Sequence, residues 1–111
     1  MSLRLGFGRP KSFGVVRGEK RIPMEVGLRI SGHRDLPGIE TTFTENVSAR
    51  GARVLSSRRW RIDDRMTVAT LTETFEGIAR VAYCESIPNA GYVVGVEFVR
   101  QDGRWVIAAT A

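Results

Sequence analysis

The sequence predicts an all-β domain, a small antiparallel barrel of about six strands. Short runs of alternating apolar and polar residues recur along the chain, and clusters of Gly, Pro, Asn and Asp separate them. No stretch shows the apolar spacing of a long amphipathic helix. With 111 residues, of which 42% are apolar and 26% charged, the chain can fold as one domain around a modest core. A barrel is favoured over an open sheet because closure pairs the edge strands.

Composition divides the chain into three parts. Residues 1–16 combine glycines and a proline with scattered basic residues, and they predict a flexible basic N-terminal arm. Residues 17–100 carry the strand patterns of the barrel, and residues 101–111 form a short C-terminal tail. Within that tail, the apolar segment 105–109 is compatible with a last strand or with the first turns of a helix.

The first strand has the clearest pattern. Apolar residues occupy every second position from Ile22 to Ile30, which predicts one half-buried strand. Pro23 fits the beginning or the edge of a strand, because proline cannot donate a hydrogen bond to a neighbour. Residues 31–38 are rich in turn formers and predict a loop, and the β-branched and aromatic segment 39–45 predicts a second strand.

The remaining strands are separated by turns. Residues 46–51 interrupt the second strand. Further strands are predicted over 52–56, 66–72, 77–84 and 92–99. The polar and basic segment 57–65, which contains Trp60, is compatible with a long hairpin loop or a short helical turn. Residues 88–91 read Pro-Asn-Ala-Gly, a strong turn sequence between the last two strands.

Charge and rare residue types limit the functional classes. The formal charge is +5, and fifteen of the seventeen basic residues are arginine. Arginine-rich composition is typical of GC-rich genomes, but it also supplies guanidinium groups for bidentate contacts to phosphate. The only cysteine is Cys84 and the only histidine is His33, which excludes an internal disulfide and a multi-cysteine metal site. We expect Cys84 to be a buried small apolar residue, His33 to be solvated in a loop, and no metal to be bound.

No pattern supports catalysis or a membrane location. No run approaches the roughly 18 apolar residues of a membrane-spanning helix, and the glycine-broken N-terminus lacks the apolar stretch of a secretory signal. No nucleophile and base can be placed together, and Asp63 and Asp64 are expected in a turn with surface ion pairs. The sequence therefore predicts a cytoplasmic, non-enzymatic protein that needs no cofactor and does not insert into a membrane.

Two motifs carry the binding chemistry. The first, Arg17-x-x-x-Arg21, places two arginines where the basic arm meets the first strand, so that both side chains can converge on one ligand. The second, Asn46-x-Ser48-x-x-Gly51, combines an amide, a hydroxyl and a glycine that permits positive φ and a close approach of backbone. Successive backbone N–H groups in such a turn can form an anion-binding nest.

In this order, the two motifs resemble the paired motifs of the PilZ family. Residues 21–24 (Arg-Ile-Pro-Met) also resemble the family's entry into its first strand, and residues 95–98 (Gly-Val-Glu-Phe) resemble the close of a late barrel strand. The likeness extends over most of the chain. PilZ domains are small β-barrels that act as receptors for the second messenger cyclic di-GMP. The resemblance therefore implies a PilZ-like split barrel with this ligand.

The resemblance also implies a role for each matching residue. Arg17 and Arg21 would bind phosphate oxygens and the O6 and N7 edge of guanine, a pairing that suits the guanidinium fork on general grounds. Asn46 would contact a guanine edge, Ser48 would hydrogen-bond near the base or phosphate, and Gly51 would keep this wall of the site close to the ligand.

The second motif begins with Asn46, where the family has Asp or Asn. An amide offers one accepting oxygen, whereas a carboxylate can accept from both N1–H and N2–H of guanine. Guanine recognition is therefore expected to involve further groups. Arg50 and Arg53 are the secondary candidates because they lie close in sequence, although Arg53 also fits an outward strand position.

The predicted function is that of a receptor which binds cyclic di-GMP and signals to a downstream protein partner through an ordering change of its N-terminal segment. One alternative is a PilZ-like protein-interaction module that no longer binds nucleotide. Another is a small nucleic-acid-binding barrel that uses the net charge and stacks bases on Phe43, Trp60 and Tyr92. Nucleic acid is disfavoured as a partner because these aromatics are scattered, and Phe43 and Tyr92 are expected to pack in strands.

Overall fold

The computed structural model describes residues 20–108, and these residues form strands and turns without a helix. Seven strands follow one another within this range: β1 (Ile22–Pro23), β2 (Gly27–Ser31), β3 (Glu40–Ser48), β4 (Gly51–Ser56), β5 (Arg65–Thr70), β6 (Phe75–Ile87) and β7 (Gly91–Gly103). Every pairing among them is antiparallel. The predicted all-β class is confirmed.

The strands close into a barrel. Around the ring the order is β3, β2, β5, β6, β7 and β4, and β4 pairs back onto β3. The additional short strand β1 pairs with the last part of β3. The prediction of a six-stranded antiparallel barrel is therefore confirmed, with β1 as an extra strand.

The core lies inside this ring and follows the predicted alternation. In β5, Met66, Val68 and Thr70 are buried, while the residues between them are less so. The buried apolar residues form one cluster: Leu28, Ile30, Val47, Ala52, Val54, Trp60, Met66, Val68, Phe75, Ala79, Val81, Val94, Val96 and Trp105. Cys84 is half-buried and packs against this cluster, so its predicted apolar character holds without full burial.

Trp105 covers the core at the end of the barrel where the β3–β4 hairpin lies. Its ring centroid is 4.9 Å from that of Phe75 and 4.8 Å from that of Phe98. Its indole Nε1–H donates to the carbonyl oxygen of Ser48 at 2.8 Å. The tail segment 104–108 is neither a strand nor a helix, since Trp105 must turn inward to reach this position.

The first predicted strand is interrupted. β1 and β2 both pair with β3, but residues 24–26 between them leave the ladder, and Met24 is exposed. The buried hydroxyl of Thr44 occupies the gap: it donates to the carbonyl of Met24 at 2.7 Å and accepts from the N–H of Val26 at 2.9 Å. Beside the gap, the register of β3 with β4 shifts, as it does at a β-bulge.

The second strand is longer than predicted. Residues 46–48 continue β3 rather than break it, and β4 begins at Gly51, so a two-residue hairpin (Ala49 and Arg50) joins the strands. The polar composition of this segment favoured a loop, but β3 is paired here with β1 on one side and β4 on the other. The strand ladder outweighs the local preference.

The last two strands also exceed their predicted bounds. β6 and β7 pair from Phe75 opposite Gly103 to Ile87 opposite Gly91, so the barrel reaches past the predicted boundary at residue 100. The predicted turn between them is present, with positive φ at Asn89 and Gly91. The segment 57–64 is a loop without helix. In the described part of the chain, no helix could span a bilayer.

Candidate ligand site on the barrel wall

The two sequence motifs meet on the outside of the barrel at β3. Arg21 Nη1 donates to the side-chain oxygen of Asn46 at 3.0 Å. Strand pairing brings them together: β1 follows Arg21 directly, and its Pro23 pairs with Asn46. Arg17 and the predicted arm 1–16 lie outside the described residues.

Ser48 occupies a different environment from the one predicted. It lies at the end of β3 and is 0% exposed, so its hydroxyl does not face the outer wall. That hydroxyl lies 3.5 Å from the carbonyl of Gly51, while the Ser48 carbonyl accepts the Trp105 indole N–H. Ser48 therefore links the second motif to the barrel core.

Position 51 requires glycine because the backbone of a neighbouring strand lies very close to it. A Cβ at this position would lie 2.3 Å from the carbonyl oxygen of Val96 on the neighbouring strand β7. Gly51 does not adopt the positive φ that glycine permits. The glycine thus lets β4 pack tightly on β7, and this shapes the wall below the hairpin.

Arg53 is held in an internal network. Its Nε donates to Glu45 Oε1 at 2.8 Å and its Nη1 to the hydroxyl of Tyr83 at 3.0 Å, while Glu85 lies 3.9 Å from Nη2. Burial would lower the pKa of Arg53, but the bonds and charges of Glu45 and Tyr83 raise it above its ordinary value. Arg53 is a secondary candidate for ligand binding, and it would have to give up its bonds to Glu45 and Tyr83 to contact a ligand.

Gly95 makes this network possible. It lies on β7 between Arg53 on β4 and Tyr83 on β6 in the strand register. A Cβ at Gly95 would lie 2.1 Å from the Tyr83 ring, so the ring covers the glycine and its hydroxyl reaches Arg53. Sequence reasoning missed Glu45 and Tyr83, because only the strand register brings them beside Arg53.

The arginines near the second motif differ in whether they are paired. Arg80 is neutralised by Asp63 at 2.8 Å and Glu97 at 2.6 Å, and these bonds raise its pKa. By contrast, neither Arg21 nor Arg50 makes an ion pair within residues 20–108. Both are exposed: Arg21 lies beside Asn46, where the second motif begins, and Arg50 precedes Gly51, where it ends. Neither guanidinium group has a carboxylate partner in the described range.

His33 is not the solvated loop residue that the sequence predicts. Its Nδ1 accepts the backbone N–H groups of Asp35 and Leu36, at 3.1 and 3.2 Å, so its Nε2 carries the proton and donates to the Arg59 carbonyl at 2.7 Å. Its ring also packs edge-on against Trp60, with centroids 4.7 Å apart. Nδ1 thus stabilises the turn of its own loop, and Nε2 joins this loop to the one that contains Arg59.

The aromatics considered for base stacking do not form a platform. Trp60 is 2% exposed and Tyr92 packs against the core, whereas Phe43, which was expected to pack inside, is exposed. In residues 20–108, no group of three or more His, Cys, Asp or Glu side chains could hold a metal ion.

A comparison with models of known protein families finds no match, and a search of curated protein sequences finds none either.

Proposed function

We propose that this domain is a receptor for cyclic di-GMP and that the ligand binds on the outer wall at Arg21 and Asn46. The observation that supports it most is the hydrogen bond between these two side chains, which belong to separate motifs of the PilZ-like pattern. Arg21 and Asn46 are 25 positions apart in sequence, but their side chains are in contact, which supports a shared role in binding one small ligand.

Each group has chemistry suited to a guanine dinucleotide. The Arg21 guanidinium can leave Asn46 and bind a phosphate oxygen or the O6 and N7 edge of a guanine. The freed amide of Asn46 can then accept from and donate to a guanine edge. Arg50 adds a second cation at the hairpin tip, and Arg17 is proposed to add a third from the preceding segment.

Ser48 and Gly51 are proposed to act through the position of Asn46 rather than by direct contact. Ser48 is fully buried and Gly51 packs against β7, so both fix the end of β3 and the hairpin that follows it. Of the three residues of the second motif, Asn46 would contact the ligand, and Ser48 and Gly51 would hold the wall in shape.

The proposed output is an ordering change of the N-terminal segment. A ligand that bridges Arg17 and Arg21 to the wall would favour one arrangement of residues 1–21 over others, because a ligand shifts an equilibrium only by its differential affinity. The segment and ligand together would then present a new surface to a downstream protein.

Calorimetric titration with cyclic di-GMP tests the site. Arg21→Ala is expected to weaken binding roughly 10- to 150-fold, since charge-assisted hydrogen bonds contribute about 1.5–3 kcal/mol. Asn46→Ala is expected to weaken it roughly 2- to 10-fold through the loss of neutral hydrogen bonds. Arg29→Ala is the matched control, because Arg29 is exposed on β2 and makes no ion pair in the described range.

Equal affinity for wild type, Arg21→Ala and Asn46→Ala would reject the site. Failure of the wild-type protein to bind at high micromolar concentration would reject the receptor function itself. Parallel titrations with GTP, cyclic GMP and a short oligonucleotide distinguish the alternatives. Oligonucleotide affinity should fall steeply with salt in proportion to the phosphates engaged, whereas specific guanine contacts should persist.

A further inference from the structure

A concave surface is present in addition to the outer wall at Asn46. An open cleft of about 850 Å³ lies between the loops 32–39 and 57–64 and the second half of β6. Residues of both loops line it, together with Tyr83 and Cys84 of β6. None of the predicted site residues lines it, although the lining residue Tyr83 bonds to Arg53. The proposed contacts at Arg21 and Asn46 do not account for this cleft.

The cleft is preformed because its walls are bonded to one another. His33 joins the two loops through its bond to the Arg59 carbonyl and its edge contact with Trp60. Trp60 is tied to β6 by its backbone N–H, which donates to Cys84 Sγ at 3.4 Å. A surface that needs no rearrangement loses little entropy when it binds a partner.

The rim of the cleft carries excess positive charge. Arg59 is exposed and forms no ion pair with any carboxylate of residues 20–108, whereas Arg61 lies 3.7 Å from Asp35 and its charge also acts on the buried Asp64 carboxylate. Nearby, Arg58 donates to the carbonyls of Leu36 and Pro37 rather than to a carboxylate. Among the residues that line the cleft, Arg59 and Arg61 are basic and only Asp35 is acidic.

Large aliphatic side chains lie beside these arginines. Ile62 is 64% exposed and Leu36 is 46% exposed, and both line the cleft. Exposed aliphatic groups that are rimmed by charge are typical of protein-interaction surfaces. A small anion within the cleft would leave them in water, whereas a polypeptide lying across it would cover them.

We propose that this cleft is a docking site for an acidic segment of a partner protein that inserts one bulky apolar side chain. The carboxylates pair with Arg59 and Arg61, and the apolar side chain packs against Ile62 and Leu36. This interaction does not depend on nucleotide, so it stands or fails separately from the receptor function.

Selection from a random-peptide display library against the full chain tests the site. Peptides with several acidic residues around one bulky apolar residue are expected to be enriched, and NMR shift changes on binding should map to residues 32–39, 57–64 and 83–84. Charge reversal in Arg59→Glu/Arg61→Glu, and separately Ile62→Asp, should weaken their binding at least tenfold. Arg29→Glu is the matched control and should bind as wild type.

Arg59 and Ile62 are exposed, so Arg59→Glu and Ile62→Asp should keep the wild-type thermal unfolding temperature. The charge of Arg61 also stabilises the Asp64 carboxylate, so the double variant is compared below its own measured unfolding temperature. Enrichment of peptides without acidic residues would overturn the proposal, as would equal binding by the charge-reversed protein or shift changes elsewhere on the barrel. Acidic peptides that bind equally well without their apolar residue would show simple anion attraction and would also overturn it.

Discussion

At the scale of single residues, Asp64 stands out because a charged carboxylate is buried there. Its side chain is 4% exposed, and its carboxylate accepts two bonds from Arg34 and one from the backbone N–H of Arg61. The sequence predicts a surface ion pair here, and the structure corrects this. Burial would raise the pKa of Asp64, but the bonds and charges of Arg61 and Arg34 lower it below its usual range.

Asp64→Asn should destabilise the fold by about 3 kcal/mol at neutral pH, because it leaves the donors of Arg34 and Arg61 without a charged acceptor. Since the folded pKa lies below the unfolded one, the stabilisation is full above the unfolded value near 3.8 and is lost as pH falls through the folded value. Urea unfolding at several pH values should show the two proteins converging below about pH 4.

Asp63→Asn is the matched control. Its carboxylate pairs with Arg80 but is 74% exposed, so the change should cost less than about 1 kcal/mol. If wild type and Asp64→Asn lost stability in parallel down to the acid limit of folding, the carboxylate would not be the stabilising group described.

The site residues differ in how far sequence could predict them. The contact between Arg21 and Asn46 is consistent with the motif-based prediction, which assumed that the motifs converge. The burial of Ser48 was not predicted, because composition favoured a loop and could not show that β3 continues through residue 48. Glu45 and Tyr83 were missed because their proximity to Arg53 depends on register across four strands.

At the scale of strands, the break between β1 and β2 affects where Arg21 of the first motif lies on the outer wall. Thr44 bridges the gap through Met24 and Val26, and the Met24 N–H donates to the carbonyl of Glu45 at 3.3 Å. β1 has only two residues in its ladder with β3. The position of Arg21 therefore depends strongly on this side-chain bridge.

Thr44→Val should destabilise the protein by about 1 kcal/mol, because it keeps the shape but removes the partner of a half-buried carbonyl and a half-buried N–H. It should also weaken cyclic di-GMP binding in the calorimetric assay, although Thr44 is fully buried and cannot touch a ligand. The control is Thr41→Val, an exposed position on the same strand. Unchanged stability in Thr44→Val would show that the gap is held by other contacts.

Alternation in the sequence located most strands but not their ends. The pattern from Ile22 to Ile30 predicted one strand, and it could not show the break because Met24 keeps the apolar period while lying exposed. β6 and β7 extend into polar residues since each continues to pair with the other where the barrel wall ends. Strand length here depends on the partner's backbone, which no local pattern contains.

At the scale of the whole molecule, one end of the barrel is closed by aromatic packing. Trp105 comes from beyond the last strand and completes a cluster with Phe75 from β6 and Phe98 from β7. These two rings also contact each other, with centroids 5.1 Å apart. Trp105 of the tail is thus part of the barrel core, although the apolar residues there predicted only an additional strand or helix.

Trp105→Ala should reduce the free energy of unfolding by about 3–5 kcal/mol, because it removes a buried ring and leaves a cavity at the barrel end. Trp105→Phe should cost less, since it keeps an aromatic ring and loses mainly the bond to Ser48. Val106→Ala is the control at an exposed neighbour. Chemical denaturation measures all three, and a Trp105→Ala loss no larger than that of Val106→Ala would contradict the closure of the core by this ring.

The bond from the Trp105 indole to Ser48 has a practical consequence. It connects a fluorophore to the backbone of the second motif, two residues from Asn46. Replacement of Trp60 by phenylalanine would leave one indole in the chain, since there are two tryptophans. The emission of that indole would then follow events at the motif optically, without any attached dye.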